Sequence, residues 1–478
     1  VIAVTCLALA AAARAVAPAT KPATRPASPA DDEFLTDVPP YRGSAILCRP
    51  TDTSVTLSVI LAAGGDVRVV YGEAGKPMET RTAVVTLPPG EPREIVLDPL
   101  RPDSAYAYRV VDAATSAPLL PEREPGRFHT QRRPGAPFTF TVQADSHLDG
   151  NTRVDLYERC LANQRADAPD FLIDLGDTFM TGKHPTRASA AGQYAAQRYY
   201  LGQVADAAPL FLVLGNHDGE ETKKRGSTDA DGLAVWSCLQ RKRFFPNPEP
   251  DAFYTGNATP HPHAGPLQNY YAWTWGDALF VALDAYWTSP GNRGGADPWR
   301  ISLGRAQYDW LAATLRASKA RHKLVFVHQL VGGLDQSGRG GAEAASLFEW
   351  GGRERDGRDT FAEHRPGWPK PLHQLFVEAG VTAVFHGHDH FYARQEKDGI
   401  VYQLVPQPGA RNVFRHFAAD YGYAAGEFLP SAGHLRVTVS PADVTVEYVR
   451  SATPDLERRG IRDGAVAARY VIARGNPR

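Results

Sequence analysis

Five short polar clusters contain residue types that can do metal-assisted chemistry. Asp145 and His147 stand two apart in ADSH, and His388 and His390 two apart in HGHDH. Asp177 closes LIDLGD, Asn216, His217 and Asp218 follow one another in VLGNHD, and His328 ends KLVFVH. Carboxylate and amide oxygens together with imidazole nitrogens suit divalent transition ions. If each cluster ends a strand, side-chain alternation turns residues i and i+2 to one side, so both two-apart pairs are expected to face a cavity. Asp177 has no cation beside it in sequence, and a buried carboxylate is costly unless matched to a cation or metal. Its two oxygens can bridge two metals about 3.5–4 Å apart, the separation at which both ions clamp one phosphate.

The elements that must position these groups are legible around them. Apolar runs FTFTVQ, FLIDL, LFLVL, YAWTW, ALFVA, KLVFV and VTAVF read as strands. Between them, NTRVDLYERCLANQR, AAGQYAAQRYYLGQV, RAQYDWLAATLRASK and PLHQLFVEAG read as amphipathic helices. Apolar strands alternating with helices predict an α/β fold with buried sheets, and polar groups at carboxyl ends of strands sit where such sheets bind ligands. The tail, HLRVTVSPADVTVEYVRS followed by ARYVIAR, returns to strands expected to pair at a sheet edge.

Upstream, residues 39–132 change to short alternating runs separated by Gly, Pro and Asp turns, which predicts an all-β sandwich. The stretch REIVLDPLRPDSAYAYRVVD resembles the corner of a fibronectin type III-like module. Residues 1–17 have the pattern of a signal peptide, and the Pro/Ala-rich 18–38 that of a linker. With Lys+Arg 52 against Asp+Glu 53, a net charge of -1 supplies no global field toward nucleic acid duplexes or anionic membranes. Cys48, Cys160 and Cys238 lack the close spacing of a disulfide framework or a thiolate metal site and read as buried small hydrophobes.

The order DSH, GD, GNHD, VH, GHDH, from about Phe138 to Leu404, resembles that of calcineurin-like metallophosphoesterases. The resemblance implies a four-layer α/β/β/α sandwich over about 135–455, preceded by the β-sandwich and followed by a 456–478 tail with a possible edge strand. It implies two divalent ions (Mn, Fe or Zn). One is held by Asp145, His147, Asp177 and His390, the other by Asp177, Asn216, His328 and His388. In that family a water between the ions loses its proton and attacks phosphorus. His217 then serves as general acid and Asp218 orients it. With the sandwich in front, the architecture is similar to that of purple acid phosphatases, with two departures. His147 stands where those enzymes carry Gly, and Met180 where they carry the Tyr iron ligand, so no tyrosinate colour or obligate ferric ion is expected.

The expected function is therefore an exported, secreted or periplasmic phosphoesterase, with a phosphomonoester favoured as substrate and no transmembrane span in the mature protein. The alternatives are a phosphodiesterase on nucleotides or lipid headgroups, or a non-catalytic binding protein with a vestigial metal site. The Gly-rich insertion 331–368 follows His328 directly, which makes Arg339, Glu349, Trp350 and Arg365 candidate pocket residues. His386 is expected to support the ligand His388, for example by fixing its tautomer. His184, His261, His263, His322, His364 and His373 read as loop histidines that bind no metal.

Overall fold

The computed structural model describes residues 33–473 except 123, 223–225, 290–296 and 336. The signal peptide expected at 1–17, most of the expected linker 18–38 and Cys6 lie outside the described residues. In strand Phe138–Gln143, Phe138, Phe140 and Val142 turn into one apolar core, while Gln143 on the other face reaches the Tyr157 hydroxyl. This strand pairs in parallel with Leu172–Asp174, which pairs in parallel with Leu210–Leu212. On its other side run Gly433–Val439, Asp443–Arg450 and Val466–Ala473, each antiparallel to its neighbour. Of the tail strands expected at a sheet edge, only Val466–Ala473 lies there. Gly433–Val439 is interior because its Leu435, Val437 and Val439 are needed in the central core.

A second sheet has eight strands, in the order Thr255–Gly256, Tyr271–Trp275, Ala278–Ala282, His322–Phe326, Ala383–His386, Ile400–Leu404, Tyr392–Lys397 and Glu427–Leu429. Its middle is parallel, which demands cover on both faces. One face meets the first sheet through Trp273, Phe280, Phe326 and Phe385 packed against Phe140, Phe171 and Val437. The other is covered by helices Gly304–Ala317 and Leu372–Ala379, whose Tyr308, Leu311, Leu315 and Phe376 meet Val281, Val325 and Val384. Helices Val154–Ala166 and Arg187–Ala205 cover the outer face of the first sheet. Four layers result, α/β/β/α.

The N-terminal region is all-β. Gly43–Cys48, Val55–Leu61 and Arg93–Leu97 form one sheet, and Gly65–Glu73 with Ala105–Asp112 centres the other. Val67, Val69 and Tyr71 alternate inward, as do Tyr106, Tyr108 and Val110. The Tyr106 hydroxyl accepts a hydrogen bond from the Arg101 backbone at 2.8 Å, a tyrosine tied to the turn before its strand. Val55–Leu61 is buried along its whole length because it has two partners. Leu57 and Val59 fill the sandwich, while Ile60 packs against helix Arg187–Ala205. From that helix the buried Arg198 donates to the hydroxyls of Ser44 (3.0 Å) and Ser58 (3.1 Å) and to the Ser58 carbonyl (2.6 Å). The sandwich is thereby fastened to the helix layer that covers the first sheet.

Candidate metal centre

Each cluster starts just past the end of an apolar strand, where the backbone leaves the ladder. Asp145 and His147 have φ of 60° and 52°, Asp177 53°, and His388 and His390 78° and 61°. This left-handed region is costly for residues with a Cβ and persists where surrounding structure imposes it. Strand alternation therefore does not explain the two-apart pairs: the strands stop at Gln143 and His386, and turns aim the side chains. Asp145 and His147 converge on one point with His390, whereas His388 joins Asp177 and His328. Gly387 makes the crossing possible, since a Cβ there would lie 2.8 Å from the Asp145 carboxylate.

Within each group the ligand-type atoms lie within 4.8 Å of one another. Asp145 Oδ1 is 3.4 Å from His390 Nε2 and 3.7 Å from His147 Nε2. Asp177 Oδ2 is 3.3 Å from His328 Nε2 and 3.8 Å from His147 Nε2, so it stands between the groups. Asn216 Oδ1 is 3.1 Å from His328 Nε2. The outward oxygens are spoken for: Asp145 Oδ2 accepts from the His388 backbone (2.8 Å) and Asp177 Oδ1 from the His217 backbone (2.7 Å). Asp145 Oδ1, Asp177 Oδ2 and His147 Nε2 are buried without a hydrogen-bond partner. Buried polar atoms are otherwise nearly always paired, so these inward-facing N and O donors fit a pair of divalent ions.

The electrostatics agree with that fit. Burial pushes the Asp145 and Asp177 carboxyls up, yet the surrounding imidazoles, His390 and His328 foremost, hold both far below the usual range. Burial likewise opposes charge on His147 and His328, but the carboxylates outweigh it and raise them to about 9 and about 10. Without ions, protons on these two rings balance the carboxylates. His388, buried beside His328, falls to about 4 and is neutral. Neighbours set the rings: His328 Nδ1 is 2.8 Å from the Leu175 carbonyl and His388 Nε2 2.7 Å from the Ser337 carbonyl, leaving the opposite nitrogens for the site. His386, expected to fix His388, does not do so through its Nε2, which is buried and unpaired.

Asp218 departs from expectation as well. Its Oδ1 accepts from the backbones of Thr178 (2.8 Å) and Phe179 (2.9 Å), and its Oδ2 from Gly215 (2.7 Å) and Asp177 (3.2 Å). The carboxylate ties the Asp177 and Asn216 loops together instead of orienting His217. Burial and the nearby Asp177 raise it to about 7. His217 lines the pocket with its Nε2 4.0 Å from Asp177 Oδ2. Burial lowers its pKa to about 3 against the pull of Asp177. The protonated imidazole expected at this position is therefore not its resting form.

A pocket of about 380 Å³ opens over both groups, with Lys183, Glu221, Tyr286, Gln329 and Arg339 in its wall. Of the insertion residues considered, Arg339 alone belongs to it. Glu349 and Arg365 pair with each other at 2.5 Å, and Trp350 is buried on the helix side of the second sheet. Three contributors went unseen in sequence. Asp149 Oδ2 lies 3.4 Å from His147 Nδ1, Gln193 donates to the His147 carbonyl, and Lys183 joins the pocket. Asp149 stands four residues past Asp145 in DSHLD, a spacing that signals nothing until the turn is known.

The family model for calcineurin-like phosphoesterases matches residues 138–392. The solved structure of PhoD is similar at 15% identity over 94% of this chain and 90% of that one, with a TM-score of 0.60. Purple acid phosphatase PPD1 from yellow lupin (Lupinus luteus) seeds is similar at 15% identity over 90% of this chain and 74% of that one, with a TM-score of 0.55. At such identities the likeness is one of fold. Among curated proteins none matches the sequence.

Proposed function

The chain belongs to the calcineurin-like phosphoesterase family, and on that premise we propose that it hydrolyses phosphate monoesters outside the cytoplasm. It is a metal-dependent phosphoesterase, and the family works with a dinuclear metal centre. The observation that carries the reading is the convergence of Asp145 Oδ1, Asp177 Oδ2 and His147 Nε2, buried and unpartnered, beneath one pocket. Asp145, His147 and His390 would hold one ion, and Asn216, His328 and His388 the other, with Asp177 shared. Two divalent ions, Mn, Fe or Zn, supply an acidified water and charge neutralisation for phosphate oxygens when bound.

The chain's own residues do the rest. Lys183 and Arg339 outnumber Glu221 among these charged wall residues, and that balance favours the dianion of a monoester over the monoanion of a diester. His217, neutral at rest, presents an imidazole to the pocket. A phosphate oxygen anion beside it favours its charged form, from which it gives a proton to the leaving oxygen. Asp218 holds the loops of Asp177 and Asn216 in register while this happens. The apolar run at 1–17 supports export, and among the described residues no helix is long and apolar enough to cross a membrane.

The test is hydrolysis of a chromogenic phosphate monoester beside its diester analogue, by protein stripped with chelator and then reloaded with Mn²⁺. Metal-restored turnover of the monoester, absent in Asp177→Asn, is expected. Preference for the diester overturns the monoesterase reading, and turnover that survives chelation overturns the metal-dependent one.

A further inference from the structure

The segment 33–38, just ahead of the sandwich, does not join the sandwich sheets. It crosses the back of the loop that carries His147. The Leu35 backbone donates to the Leu148 carbonyl at 2.8 Å, and Phe34 forms an isolated β-bridge with Asp149. Leu35 and Val38 are anchored among the apolar residues of the helix layer. The Phe34 ring stacks on His184, with centroids 3.6 Å apart and planes 20° from parallel. His184 Nε2 lies 2.8 Å from Gln193 Oε1, and Gln193 Nε2 donates to the carbonyl of His147. The segment thus reaches the ligand loop twice, directly at Leu148 and Asp149, and through His184 and Gln193 at His147.

That loop needs holding. Asp145, His147 and Leu148 all have left-handed φ, of 60°, 52° and 51°, and each such residue costs about 1–3 kcal/mol unless its surroundings enforce it. The second group is fixed by other means. His328 is set by the Leu175 carbonyl, His388 by the Ser337 carbonyl, and Asp177 by the His217 backbone, which donates to its Oδ1, and by the Asp218 carboxylate, which accepts from its backbone. None of these contacts involves residues 33–38.

We propose that segment 33–38 is a clamp that positions the metal loop Asp145–Asp149, with Phe34 as its positioning residue, and that it governs one ion position much more than the other, which meets this loop through Asp177 and the His388 backbone. The clamp acts on the ion held by Asp145, His147 and His390. The inference rests on the two-ion reading of the site, and its test separates the two.

The test is equilibrium dialysis of the full chain against Mn²⁺, wild type beside Phe34→Ala, Phe34→Tyr and His184→Ala, with thermal unfolding recorded on the same samples. Wild type is expected to hold two ions. Phe34→Ala and His184→Ala should keep one ion near wild-type affinity and bind the other about 10-fold or more weakly, the range found for groups that orient metal ligands. Phe34→Tyr, which keeps the stack, should restore both. His184→Ala leaves the strap backbone untouched and serves if Phe34→Ala does not fold. Two ions held as in wild type by the folded variants, or equal weakening of both ions, overturns the clamp. A wild-type chain that takes up no Mn²⁺ overturns the two-ion reading and the clamp with it.

Discussion

Between residues 43 and 129 the side chains packed between the two sheets are aliphatic or aromatic, and the tyrosine hydroxyls reach polar partners at the rim. In the catalytic half, the sheets share an equally apolar core, but their strand ends bury Asp145, Asp174, Asp177, Asp218 and His328. The centre differs in bringing three inward atoms, Asp145 Oδ1, Asp177 Oδ2 and His147 Nε2, together buried and unpaired on left-handed backbone. Burying charge without compensation costs several kcal/mol, so the difference marks where stability has been exchanged for chemistry. Substitutions in the two regions should separate turnover from stability.

The largest effect on turnover is expected from Asp177→Asn, which removes the carboxylate standing between both groups. Substitutions that only orient metal ligands cost about 10–100-fold, so loss of this group should exceed 100-fold, measured with Mn²⁺-reloaded protein. His217→Ala should follow, with a loss of about 10²–10⁴ typical of a positioned acid. That loss should shrink for esters with acidic leaving alcohols, and a loss independent of the leaving group contradicts the assigned role. Asp218→Asn leaves two of four backbone N–H groups facing an amide NH₂. At about 1–3 kcal/mol for each unsatisfied group, urea unfolding should show a loss of about 2–6 kcal/mol with a smaller fall in turnover than His217→Ala. Leu57→Ala in the sandwich should cost about 2–5 kcal/mol of stability and leave turnover per folded molecule unchanged.

The smallest expected effect is on pH dependence in the metal-free chain. His147 and His328 are raised to about 9 and about 10, so their contribution to stability is fully present below about 6.5 and is lost as pH rises through those values. Melting temperature of the chelated protein should therefore fall between pH 7 and 10. Mn²⁺-loaded protein, whose ligating rings carry no such proton, should show a flatter profile, and Mn²⁺ binding at pH 8 should release protons. A flat profile without metal contradicts the balance of charge described for the site.

Much of this site was legible because an apolar run that stops at a carboxylate or imidazole is a strong local signal, as in LIDLGD and KLVFVH. The layers were legible for the same reason, since the helical periodicity of VDLYERC beside buried runs leaves few alternatives. What the sequence hid depends on backbone that leaves the ladder. His388 and His390 look like one strand face, yet turns at φ 78° and 61° send them to different groups. Glu349 and Arg365, sixteen apart, read as pocket residues until the insertion folds them onto each other. Asp218 sits beside His217 in sequence, but four backbone N–H groups compete successfully for its oxygens. The clamp at 33–38 was hidden by distance along the chain from Leu148 and Gln193.

The most direct test of the central claim is metal stoichiometry followed together with turnover. Chelated protein titrated with Mn²⁺ should take up two ions per chain, with monoester hydrolysis appearing as the second position fills, and Asp177→Asn should bind fewer and stay inactive. Full turnover at one ion per chain, or with none, contradicts the account of Asp177 as the carboxylate shared by two metal positions.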